Sequence, residues 1–174
     1  AKGFNDPQYF APMHPSACEQ VRWQYGFDLT GVFDPRSPVY WKTRPDIRSI
    51  VTAYRVARIE DVYRRLLKRF ADVGRRREGF EVIVTAMDGY NSPELREYVG
   101  VDMTSIMGLQ REFGFALQIE DPESRWSTDP MRYVTIGGQY KERMGADTSL
   151  MLDLNIVNFR KAGAVTPFPT MIQT

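Results

Sequence analysis

The sequence predicts an α/β fold in which parallel strands alternate with helices, as a partial (β/α) barrel-like segment or, alternatively, a small open sheet. Two observations carry this. First, three apolar, strand-like runs each end on a carboxylate: residues 80–87 at Asp88, residues 115–119 at Glu120 and Asp121, and residues 150–152 at Asp153. Asp88, Glu120 and Asp153 stand 32 and 33 residues apart, the length of one strand-plus-helix unit. Second, the stretches between them carry helix signals, and strands joined through helices pair in parallel. A complete eight-fold barrel needs roughly 200 residues or more. The chain has 174, so a barrel would be incomplete.

Residues 1–46 read as an irregular arm rich in proline and aromatic residues, and residues 47–174 as the repeat domain. Within the arm, Ser16 would cap a short helix through Tyr25, with Glu19 in capping-box position and Gly26 as terminator. Residues 28–46 hold three prolines and read as loop, with one short strand at 29–33. Residues 50–56 (IVTAYRV) are β-branched and aromatic, which predicts a strand. From Ile59 to Val73 apolar residues recur at helical spacing, with Arg64, Arg65, Lys68 and Arg69 on the opposite face. The run 80–87 (FEVIVTAM) suits a strand buried on both faces. Ser92 and Pro93 start a helix that Gly100 interrupts, and a second stretch runs from 103 to 113 before Gly114. Residues 115–119 form the next strand. Asp129 and Pro130 start a helix to Met144, weakened by Gly137 and Gly138 at about 1 kcal/mol each. Residues 149–156 form the last strand. Both ends look open, which points to a segment of something larger, whose remainder or other subunits would then be partners.

Composition narrows the function classes. Net charge is +1, so no global field gathers nucleic acid. No apolar run is long enough for a membrane span. Cys18 is the one cysteine and His14 the one histidine, so a zinc site of the usual kind and a histidine-activated nucleophile lack their residues. The basic run Arg75, Arg76 and Arg77 could meet phosphate or acidic partners. Glu60, Asp61, Asp72 and Glu78 balance the helix, which makes a solvated face the simpler reading.

Carboxyl strand ends gather on one face of an α/β fold, where ligands bind. Asp88, Glu120 and Asp153 are therefore the candidate catalytic residues. Asp121, Asn155, Tyr54, Tyr90 and Trp126 are candidate substrate-binding residues, the aromatics as stacking platforms for a carbohydrate or other small polar substrate. Glycoside hydrolysis needs one protonated carboxyl and one ionised carboxylate, and it needs no cofactor. Glu120 is the expected acid/base, with Asp88 or Asp153 as its partner.

With its acidic strand ends the chain resembles sugar-cleaving enzymes built on the TIM barrel. Residues Ile119, Glu120, Asp121 and Pro122 (IEDP) also resemble the fourth-strand motif of the enolase superfamily. That second resemblance implies Asp88, Glu120 and Asp153 as Mg²⁺ ligands of a lyase or isomerase. No lysine or histidine base accompanies them. A third alternative is a non-catalytic interaction or structural subunit, its arm wrapping a partner.

Overall fold

A computed structural model describes residues 3–5, 13–120, 131–145, 147–154, 157–158 and 164–165. Contacts divide the chain into two units: Ala1–Tyr63 with Pro93–Asp102, and Arg64–Ser92 with Met103–Thr174.

The first unit is helical. Helix α1 (Pro15–Tyr25) begins with proline in its first turn, and the His14 side chain accepts the Ser16 N–H. The cap is therefore two residues earlier in the chain than Ser16, which the sequence pattern favours. Gly26 ends the helix at φ 75°, where a Cβ would be strained. Residues Leu29–Phe33, expected as a strand, form a 3₁₀ helix instead. Asp28 causes this, because its carboxylate takes both the backbone N–H and the hydroxyl of Thr30 and curls the chain.

Helix α2 (Pro45–Gly74) replaces the strand expected at residues 50–56. Pro45 and Asp46 suit a first helical turn. Ile47, Val51 and Tyr54 are buried at spacings of four and three, a helical period rather than alternation. They close a core with Phe4, Val21, Phe27, Leu29, Val32 and Trp41. That burial outweighs the small cost of β-branched residues in a helix. Helix α3 (Leu95–Val99) is tied to α2 by side chains. Arg48 forms a two-pronged pair with Glu97 at 2.7 and 2.8 Å. The buried Arg55 donates to the carbonyls of Glu97 and Tyr98, and desolvation pushes its guanidinium pKa down.

The second unit is α/β. Strands β1 (Ile83–Met87), β2 (Ala116–Glu120) and β3 (Leu150–Asp153) form an open parallel sheet in the order β1-β2-β3. Its registers pair Ile83 with Ala116 and Leu117 with Leu150. One face thus carries Val84 and Ala86, Leu117 and Ile119, Leu150 and Leu152. Helix α5 (Arg132–Met144) lies against this face; a Cβ on Gly137 would sit 3.4 Å from Leu152 Cδ1. Tyr133, Ile136 and Tyr140 are its buried residues. Helix α4 (Met103–Phe113) buries Met103, Ile106, Met107 and Leu109. It ends at Gly114, whose φ is 71°, and Gln110 Nε2 donates to the Phe115 carbonyl at 3.2 Å, fixing the turn into β2. Two short strands, β4 (Val157–Asn158) and β5 (Ala164–Val165), pair antiparallel.

The opposite sheet face is graded. Its lower layer is Ile83 and Ala116, its middle layer Thr85, Gln118 and Met151, and its upper layer Met87, Glu120 and Asp153. Ile83 is 50% exposed and Met151 40%.

Candidate functional site

The carboxyl edge of the sheet brings two of the three expected carboxylates onto one face. Met87, Glu120 and Asp153 are register partners, so their side chains point the same way. Glu120 and Asp153 are half-buried. Among the described residues neither side chain has a hydrogen bond or an ion pair.

Asp88 follows Met87, and alternation turns it to the other face. It is 1% exposed and its oxygens are occupied. Tyr140 Oη donates to Oδ1 at 2.9 Å, Asn91 Nδ2 to Oδ2 at 2.7 Å, and the Asn91 N–H to Oδ1 at 3.3 Å. The Asp88 N–H donates to the Glu120 carbonyl at 2.8 Å, extending the ladder one step past β1. Asp88 thus holds the end of β1 beside Glu120 rather than standing in the open with it. Removing its carboxylate by Asp88→Ala leaves the buried Tyr140 hydroxyl without its acceptor. The expected cost is about 2 kcal/mol of unfolding free energy, measured in urea.

Tyr140 is fully buried. Desolvation first, then the neighbouring Asp88 carboxylate, pushes its phenol well above the usual tyrosine range. In the unfolded chain the phenol ionises near about pH 10; in the folded chain it stays protonated beyond that. The folded state therefore holds the extra proton, and stability must fall as pH rises through about 10 and above. Urea unfolding compared at pH about 9 and about 11 should show this loss, and Tyr140→Phe should flatten it.

Tyr90 packs against Tyr140 with ring centroids 5.2 Å apart and planes tilted by 57°. Its hydroxyl donates to Met107 Sδ at 3.2 Å, and the Arg143 guanidinium lies 4.5 Å from its ring centroid. Asn91 Nδ2 also reaches Gln139 Oε1 at 3.1 Å. The sequence reading missed Asn91, Gln139, Tyr140 and Arg143 here. Only Asn91 had a signal, as part of an Asn-Ser-Pro turn. Tyr54, expected at a strand end, is in α2 of the other unit; it is buried, and its hydroxyl donates to Gln20 Oε1 at 2.9 Å. The helix replaces the strand, so the strand-end reasoning for Tyr54 fails. Asp121, Asn155 and Trp126 lie outside the described residues.

Among the described residues no three His, Cys, Asp or Glu side chains gather closely enough to hold a metal ion. Glu120 and Asp153 can offer two oxygen donors from one face. Chemically, such a pair can share a proton, attack as a nucleophile or activate water. The chain matches no protein-family model, no curated protein and no solved structure.

Proposed function

We propose that this chain carries the carboxylate edge of a glycoside-hydrolase-like enzyme, with Glu120 as acid/base and Asp153 as its partner. One observation carries the reading: the β2–β3 register sets these carboxylates, unpaired among the described residues, side by side at the carboxyl edge of a parallel sheet. Adjacent strands are about 4.8 Å apart, which suits the roughly 5 Å spacing of retaining enzymes. Glu120 would protonate the glycosidic oxygen while Asp153 attacks the anomeric carbon. Glu120 would then deprotonate the water that releases the sugar. Asp88 serves as a positioning residue, and Tyr90 with Arg143 lies beside it.

The graded sheet face supports the finer fold reading, a segment of a TIM barrel. Barrel interiors are layered, and their chemistry sits at the carboxyl end. Here Thr85 Oγ1 donates to Gln118 Oε1 at 3.2 Å in the middle layer, below the acidic layer. A face destined for helices would be apolar throughout. Two aligned carboxylates fit an acid–nucleophile pair better than a Mg²⁺ site, which takes more oxygen ligands.

The test is release of reducing sugar from a panel of unactivated oligosaccharides, with Glu120→Gln and Asp153→Asn beside the wild type. Turnover lost in both variants is the expected result. A wild type inert on every substrate, or a Glu120→Gln protein with full activity, overturns the reading.

A further inference from the structure

The amino edge of the sheet, at the other end from Glu120 and Asp153, holds a recess of about 330 Å³. Every residue of its lining belongs to the α/β unit. Ala116 lines it, and Glu120 lies at the far end of the same strand, about 13 Å away, so the recess is separate from the carboxylate edge. Among the described residues four phenylalanines line it: Phe70 from α2, Phe80 ahead of β1, and Phe113 and Phe115 at the turn from α4 into β2. Leu67 and Met151 add apolar surface. Leu67 and Phe115 are buried, whereas Phe70 is 40% exposed and Phe80 37%, which leaves ring surface open to a ligand.

Among the described residues one charged side chain lines this recess, Glu81. It is exposed, and its carboxylate has no hydrogen bond or ion pair among the described residues. The nearby cations of α2 have other partners or other directions. Arg64 bonds Glu112 and Arg75 bonds Asp72. By helical period Arg69 lies on the side of α2 away from Leu67. Gly74, the last residue of α2, keeps the recess open. A Cβ there would stand 3.5 Å from Phe80 Cδ1. Its backbone is helical, so a longer side chain at this position is tolerated by the chain and would enter the recess.

We infer that this recess binds a small aromatic ammonium ion, a ring on a short chain that ends in a primary amine. The lining selects both halves of that ligand. Phenylalanine rings pack favourably against another ring, offset or edge to face, and the Met151 thioether adds a favourable sulfur–ring contact. Glu81, the one lining charge, is an acceptor for the ammonium N–H groups in a charge-assisted hydrogen bond. An aromatic acid or a fatty acid would meet Glu81 as a like charge. A quaternary ammonium has no N–H to give it. The volume is at the lower end of the roughly 300–1,000 Å³ of small-ligand sites, which suits a single ring system. No residue of the recess belongs to the carboxylate edge, so the inference stands apart from the glycosidase reading.

The test is titration calorimetry with phenethylammonium, phenethyl alcohol and hydrocinnamate, which share the ring and differ in the charge of the tail. The wild type is compared with Glu81→Gln and Gly74→Leu, and circular dichroism confirms that each variant keeps its helices. The ammonium should bind the wild type about tenfold more tightly than the alcohol. Glu81→Gln should erase that preference while the alcohol still binds. Gly74→Leu should weaken both by about tenfold or more. No ammonium binding by the wild type, an unchanged preference in Glu81→Gln, or wild-type affinity in Gly74→Leu each overturns the inference. So does tighter binding of hydrocinnamate, which would give the recess to an anion held by Lys68 or Arg77. Glu81 is exposed, so its variant decides the matter even where Gly74→Leu fails to fold.

Discussion

Glu120→Gln should lower kcat on an unactivated oligosaccharide by about 10³-fold, equivalent to about 4 kcal/mol of transition-state stabilisation. The glutamine keeps the shape of the side chain but has no proton to give to the leaving oxygen. The backbone at this position is secured independently, since the Glu120 carbonyl accepts the Asp88 N–H; the variant therefore tests chemistry and not folding. Leaving-group dependence makes the result specific. A dinitrophenyl glycoside departs without protonation, so Glu120→Gln should cleave it with much of the wild-type rate for the first step. On the proposed mechanism Asp153→Asn should fail on both substrates, because its nucleophile is then missing for each. Equal losses on both substrates in both variants would assign the two residues to binding instead of to separate chemical roles.

Leu117→Ala should destabilise the second unit by about 3 kcal/mol. Leu117 is 0% exposed and sits on the central strand, with Val84 and Leu150 as its register partners. Shortening it removes apolar contacts and leaves a cavity among neighbours that the sheet holds in place. Met151→Ala is the control. Met151 lies on the other face and is 40% exposed, so its loss should cost under about 1 kcal/mol. Far-UV circular dichroism during urea unfolding reads both. Similar midpoints for the two variants would mean that the face bearing Leu117 is not the packed one.

Much of the sheet was legible because its signals are local. The run IVTAM at β1 reads as a strand and is one, but only its Val84 and Ala86 face is buried, where the sequence suggested burial on both faces. The runs that became β2 and β3 also read as strands. Helix α4 covers the stretch from 103 to 113 that the sequence placed before Gly114. The failure at residues 50–56 has an equally local cause. Ile, Val, Thr and Tyr favour strands by propensity, yet Ile47, Val51 and Tyr54 also fit a helix, and only the core they enter chooses between them. Asp28 shows the same limit, because one side-chain bond turned an apolar run into a 3₁₀ helix.

By itself, then, the sequence determined the α/β class, the parallel strands and the placing of Glu120 and Asp153 at strand ends, because period and composition are properties of short segments. Tertiary structure alone decided which face each carboxylate occupies and what it meets there. β1 ends at Met87, one residue before Asp88, and the period of two then sends Asp88 to the opposite face from Glu120 and Asp153. There it meets Tyr140, a residue 52 positions away that no local pattern marks. A side chain's partner depends on which face it occupies and on what the chain folds against that face, and neither is written in the neighbouring residues.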